Sequence, residues 1–137
     1  MTDIAASTWR RLKNRYNLVG KRCSNCNTVY FPPRMICSQC TPPHVNEDFQ
    51  LSGLGKITSY TVVHVPPEEH SDVSPYILAV IETKEGPKLT SQIVECNEKD
   101  LYIDTPVEMV LRKITETNDG LISYGYKFRP LFINLEN

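Results

Sequence analysis

The spacing of apolar residues changes twice along this chain. Between residues 3 and 20, Ile4, Thr8, Leu12 and Tyr16 recur every fourth position with Trp9 beside them, while Arg10, Arg11, Lys13 and Arg15 fill the other faces. That is the period of an amphipathic helix. Asn14 and Asn17 are expected to end or break it before Gly20. The apolar stripe either packs on its own domain or docks on another chain, and the basic run reads as a solvated helix face or a contact surface. Residues 21–50 show no sustained period. From Gly53 onward alternation by two takes over. Residues 55–65 place Ile57, Val63 and Val65 on one face and Tyr60, Val62 and His64 on the other. Residues 75–83 contain a nearly unbroken apolar run, as expected of a strand buried on both sides. Strands are also predicted over 87–95, over 106–115 (burying Val107, Met109 and Leu111) and over 121–128, with a polar helical turn at 97–102. Asn118-Asp119-Gly120 supplies a hairpin turn. Five strands with short turns and one longer loop, residues 66–74, fit a five-stranded OB-type barrel. The predicted class is mainly β: a helical head at 1–22, a ribbon at 23–50 and a barrel at 51–137.

The unperiodic segment carries the most specific chemistry. Cys23, Cys26, Cys37 and Cys40 are spaced C-x2-C-x10-C-x2-C, which brings four thiolates within reach of one tetrahedral ion. Zn2+ is the first choice, iron held as in rubredoxin is the second, and two disulfides are the alternative to a metal. Residues 1–13 have no apolar stretch before the basic cluster, so a cytoplasmic location with reduced thiols is expected. Closed four-cysteine sites are structural rather than catalytic. Asn27, just past the first knuckle, suits the left-handed backbone commonly needed there. Tyr30-Phe31-Pro32-Pro33-Arg34 suits a short β connection above the metal. His44 stands close to the second knuckle, but four cysteines leave it no place as a ligand.

Charge divides the chain as the periods do. Residues 1–40 hold seven Lys/Arg and one acid, a formal +6, whereas residues 41–137 hold eight Lys/Arg and fifteen acids, a formal −7. Four thiolates and one Zn2+ would bring the head to about +4. A basic head suits phosphates or an acidic partner; the acidic body argues against nucleic acid, for which only Lys127 and Arg129 beside Tyr124, Tyr126 and Phe128 offer a surface. No apolar run reaches membrane-spanning length. An enzyme would need a nucleophile or an acid–base pair. Cys96 stands alone, His64 lies in a strand, and Glu68-Glu69-His70-x-Asp72 is a polar loop string. With no G-x-S-x-G, phosphate-binding glycine loop or H-E-x-x-H, catalysis by this chain alone is not expected.

The cysteine ribbon enclosing Phe31-Pro32-Pro33-Arg34, the strand Gly55-Lys56-Ile57-Thr58-Ser59-Tyr60-Thr61 and the ending Tyr124-Gly125-Tyr126-Lys127-Phe128-Arg129-Pro130 together resemble the DUF35 family. Asn27 and Thr41 stand where that family often has glycine. The resemblance implies a rubredoxin-like zinc ribbon on an OB fold, with one structural Zn2+, acting as a non-catalytic partner of acyl-CoA enzymes. Members commonly accompany thiolase-superfamily enzymes; in archaea one joins acetoacetyl-CoA thiolase to HMG-CoA synthase around a shared coenzyme A site. Others accompany hydratases, aldolases or acyltransferases. Coenzyme A carries a pyrophosphate and a 3′-phosphate, for which the head offers cations. Arg34 is the first candidate for an acyl-CoA contact, followed by Arg15 and Lys21, with Tyr30 and Phe31 as aromatic neighbours.

Overall fold

A computed structural model describes residues 10, 12, 14–68, 75–116, 120 and 122–131, with the side chain of Thr115 omitted. Among these, Arg10, Leu12 and residues 14–17 are helical. The helix ends at Asn17, earlier than residue 20, because Leu18 takes a left-handed φ of 49° and Val19 already starts a strand. Ile4, Thr8, Trp9, Arg11 and Lys13 lie outside the described residues, as does the string from Glu69 to Asp72.

Two sheets follow. The first is three-stranded in the order β2-β1-β3, with β1 at Val19–Cys23, β2 at Val29–Tyr30 and β3 at Asn46–Gln50. The second is a closed barrel in the order β4-β5-β6-β8-β7. Its strands are β4 at Leu54–Val63, β5 at Tyr76–Thr83, β6 at Lys88–Ile93, β7 at Pro106–Glu116 and β8 at Ile122–Pro130. β4 closes antiparallel on β7, while β6 meets β8 in parallel with Ile93 opposite Phe128. Five strands in this order form an OB barrel, and closure leaves it no free edge. The polar turn forms at Glu98–Asp100; Gly120 has a positive φ of 82°, while Asn118 and Asp119 of the expected hairpin turn lie outside the described residues.

Two β-bulges explain where simple alternation fails. In β4 the register shifts between Ile57 and Ser59. One extra residue reverses the parity of every position beyond it, so Ile57, Tyr60 and Val62 all face the core instead of dividing between two faces. Val65 lies past the strand end and is exposed. In β7 a second shift lies between Lys113 and Thr115. Leu111 pairs with Tyr126, but at 45% exposure it is not part of the core. β5 is not buried on both sides: Ile77, Ala79, Ile81 and Thr83 are buried, while Tyr76, Leu78, Val80 and Glu82 are half-covered.

The core consists of Leu18, Leu51, Ile57, Ile77, Ala79, Ile81, Leu89, Ile93, Leu101, Val107 and Phe128. Phe128 sits where three strands converge, opposite Ile93 on β6 and Met109 on β7, and it is fully buried. Its ring meets Tyr126 edge-on at 6.3 Å, and Tyr126 meets Phe31 of the ribbon segment edge-on at 5.8 Å. This run of rings joins the small sheet to the barrel. Gly125, on the opposite side of β8, leaves the room for Ile114 and Arg15: an added Cβ would stand 3.0 Å from the first side chain and 3.3 Å from the second. Removing the Phe128 ring leaves a void that neighbouring strands cannot fill without losing register. Phe128→Ala is expected to cost about 3–5 kcal/mol, read as a lower urea midpoint with little change in slope.

Candidate metal centre

The loop from Cys23 to Cys26 turns back on β1: the Asn27 N–H donates to the Cys23 carbonyl at 2.9 Å and the Cys23 N–H to the Thr28 carbonyl at 3.0 Å. Asn27 does so with φ of 58°, the left-handed conformation its position calls for. The second knuckle is held by the Cys37 N–H donating to the His44 carbonyl at 2.9 Å and by an isolated antiparallel bridge between Ile36 and Val45. His44 therefore contributes backbone, and the metal-capable group contains only the four cysteines among the described residues. Their Sγ atoms all lie within 4.8 Å of one another, with Cys26–Cys37 at 3.5 Å and Cys23–Cys40 at 3.7 Å. All five cysteines of the chain are free, and these separations are far too long for S–S bonds. Four sulfurs gathered at edges of this length fit the tetrahedral donor set of a zinc-ribbon site, with no ligand position left for substrate. When bound, the ion cross-links β1, the first knuckle and the second.

The electrostatics of the sulfurs differ. The Thr28 hydroxyl lies 3.1 Å from the exposed Cys26 and lowers its pKa. The Tyr30 hydroxyl, 3.4 Å from Cys37, pulls that thiol down to about 6, helped by the backbone N–H groups of Gln39 and Cys40. At Cys40 the Asn25 amide, 3.4 Å away, also lowers the pKa. Burial and the hydrogen bonds shared with the other three sulfurs outweigh it and push Cys40 up to about 12. Cys96 rises by burial and by the charge of Asp100, so its thiol stays protonated and it acts as partly buried packing beside the core.

The five residues nominated for a CoA contact fall in two places. Arg34 is exposed, with its guanidinium 6.0 Å from the Tyr30 ring centroid. Its carbonyl accepts from Asn46 Nδ2 at 2.9 Å, and the Asn46 N–H donates to the Met35 carbonyl at 2.8 Å, which pins the loop to β3. Lys21 is half-buried and paired with Asp48 at 2.8 Å, so a phosphate would compete with that carboxylate. Tyr30 turns its hydroxyl to the cysteines, and Phe31 packs towards the barrel. Arg15 lies beside Gly125 and exerts its charge on Tyr126, whose own pKa is raised mainly by burial. Asn46 had no signal in the sequence; its role follows from burial opposite Cys23, visible only once β1 and β3 are paired.

Neither of two surface concavities holds these residues. One of about 170 Å³ lies between Asn17, Gln50 and Met109, and one of about 350 Å³ lies along Leu54, Lys56 and Lys84. Arg34, Tyr30 and Lys21 thus present an open face. The nominated nucleic-acid surface does not form either. Lys127 is 6% exposed and Phe128 is fully buried. Arg129 is bound by Glu108 at 2.6 Å and Glu95 at 3.2 Å, and Arg112 also holds Glu95. No described helix is long and apolar enough to cross a membrane.

Comparison with known proteins agrees with this architecture. Residues 10–41 match the family model described as the ChsH2 rubredoxin-like zinc ribbon domain, and residues 49–112 match the ChsH2 C-terminal OB-fold domain. A DUF35 domain-containing scaffold protein of Methanocaldococcus jannaschii is 50% identical over 93% of this chain and 92% of its own length. The benzoylsuccinyl-CoA thiolase subunit BbsA of Thauera aromatica is 26% identical over 83% of this chain and 76% of its own. Among solved structures, the Ltp2-ChsH2(DUF35) aldolase contains a chain with TM-score 0.69 and 27% identity, covering 95% of this chain and 96% of that one.

The sulfur electrostatics carry a pH prediction. At pH 7 a metal-free Cys37 is largely thiolate and Cys40 is protonated, so Zn2+ must displace protons to bind. Zinc uptake by the metal-free chain is expected to acidify a weakly buffered solution. Affinity is expected to rise with pH and to fall more steeply below about pH 6, where Cys37 also takes up a proton. A competition titration with a chromophoric chelator across pH 5.5–8, as about the accessible range, measures this directly; an affinity flat across that range contradicts it.

Proposed function

The chain belongs to the DUF35 family, and we propose that it is a non-catalytic zinc-ribbon and OB-fold scaffold that binds acyl-CoA and bridges thiolase-superfamily enzymes, acetoacetyl-CoA thiolase and HMG-CoA synthase. The single observation that carries this reading is end-to-end similarity: 50% identity across 93% of the chain to a protein named as a DUF35 scaffold. A thiolase subunit and an aldolase complex among the similar proteins support a CoA-thioester enzyme as the partner class.

The chemistry of the surface is consistent with such a role. The four thiolates would hold one Zn2+, which supplies a rigid cross-link and no open coordination position. The three parts then divide the work: a head at 1–22, a ribbon at 23–50 and a barrel at 51–137. Arg34, held near the Tyr30 ring, contacts a CoA phosphate, with Arg15 and Lys21 as further cations and Phe31 beside them. An open face rather than a closed pocket suits a ligand arm that the partner enzyme covers from its other side. Holding two enzymes in one assembly replaces diffusion of the thioester by transfer at high local concentration, which needs no new catalytic group.

The first test is recovery of the tagged full chain from extract of its own cells, washed in moderate salt and read by mass spectrometry. Stoichiometric thiolase-superfamily subunits are expected. Recovery of nucleic acid with its protein companions, or of no acyl-CoA enzyme, refutes the scaffold reading. In the recovered assembly, Arg34→Glu together with Arg15→Glu is expected to weaken CoA retention by about tenfold for each arginine–phosphate pair removed; unchanged retention removes these two residues from the site.

A further inference from the structure

We propose that the Tyr30 hydroxyl is a built-in part of the metal centre: its hydrogen bond to Cys37, rather than the packing of its ring, tunes the affinity and electronic structure of the bound ion. The argument starts from charge. Four thiolates around a divalent ion carry a net −2, which hydrogen-bond donors or water at the sulfurs offset. Cys26 is exposed and has water and the Thr28 hydroxyl. Cys40 is half-buried and has the Asn25 amide. Cys37 is only 2% exposed, so water cannot serve it. The Tyr30 hydroxyl at 3.4 Å is its side-chain donor from outside the knuckle.

The direction of that bond follows from the second contact of the phenol. The backbone N–H of Ser38 points at the Tyr30 oxygen at 3.2 Å, which makes the phenol an acceptor there. Its own proton is left to choose between Cys37 Sγ and the Ser38 hydroxyl, also at 3.2 Å. A thiolate can only accept, whereas the serine hydroxyl can itself donate to the phenol, so the charge-assisted O–H···S bond takes the proton. The phenol thus relays a backbone N–H to the metal-bound sulfur, each bond polarising the next. Groups that hold a ligand from behind the coordination sphere change metal affinity by about 10–100-fold.

The ring has a separate task, since its face lies under Arg34. Tyr30→Phe keeps that face and removes only the hydroxyl; Arg34→Ala keeps the hydroxyl and removes the cation. Full-length protein loaded with Co2+ gives sulfur-to-metal charge-transfer bands that respond to hydrogen bonding at sulfur. With Tyr30→Phe these bands are expected to move to lower energy, and Zn2+ affinity by chelator competition to fall by about tenfold. With Arg34→Ala both are expected to stay at the unaltered values. Should Tyr30→Phe fold poorly, 3-fluorotyrosine at position 30 alone keeps the shape and strengthens the donor, and the bands are expected to move the other way. Native bands and native affinity in Tyr30→Phe, or no band shift with 3-fluorotyrosine, overturn the proposal. An equal loss of affinity in Tyr30→Phe and Arg34→Ala overturns it too, because the effect would then belong to the ring.

Discussion

The fold between Val19 and Gln50 depends on four sulfurs meeting at one point. Between Val19 and Gln50 the buried apolar residues are few: Val19 and the two cysteines Cys23 and Cys37. Its sheet consists of two five-residue strands and one of two residues, far below what burial alone would keep folded. The thiolates supply what the core does not, since an ion held at Cys23, Cys26, Cys37 and Cys40 couples its binding free energy to the folding of the ribbon. Cysteines in this role need their side chains aimed at one point, with donors nearby to offset the thiolate charge. The backbone turns at Asn27 and His44 provide that, as do the donors Thr28, Tyr30 and Asn25.

A ribbon closed in this way would still swing freely on a linker. It does not, because the chain leaves the sheet through residues that belong to the barrel core. Leu18 and Leu51 flank β1 and β3, are joined by a 3.1 Å backbone hydrogen bond, and are buried with Ile57 and Phe128. Phe31 reaches the same core through Tyr126, adding edge-to-face contacts to the hydrophobic burial. The ribbon therefore moves with the barrel, and a face formed by Arg34 and Tyr30 has a fixed position relative to the barrel wall. A scaffold requires that property more than it requires a tight pocket: two partners keep their separation only if the parts that touch them do.

Much of this was legible in the sequence because it rests on local signals. The C-x2-C pair fixes the metal site whatever the surroundings, and Asn27 marks a left-handed turn. Alternation, the apolar run at 75–83 and the turn signals between them locate all five barrel strands, and their number and spacing point to an OB-type barrel. What stayed hidden depends on pairing. No residue type announces the bulges in β4 and β7, yet the first moves Tyr60 and Val62 into the core, and in mid-β7 Leu111 is left partly in water although it pairs with Tyr126. Lys127 is similar: in sequence it is a surface cation, and only the cover supplied by neighbouring strands and side chains buries it, with its pKa lowered by that burial and by Arg112. Position in the sheet overrides residue type in each case.

The same distinction changes the meaning of the basic head. Counted along the chain it is a cluster of seven cations, but in the fold Lys21, Arg22 and Arg34, among the described ones, each have their own setting. Lys21 answers Asp48, and Arg22 lies 4.8 Å from the Phe49 ring centroid, so both serve the ribbon's own β3. Both contacts are at or near the surface, where they contribute about 1 kcal/mol or less and yield readily to a stronger anion. Arg34 differs in having a loop pinned by the buried Asn46 and a ring beneath it, which orients the guanidinium without neutralising it. A cation held in place but not cancelled pays little ordering entropy when it binds phosphate. Under the proposed function, the described part of the head would therefore act less as a diffuse positive field than through one oriented arginine, Arg34, with Lys21 and Arg22 as weaker cations nearby.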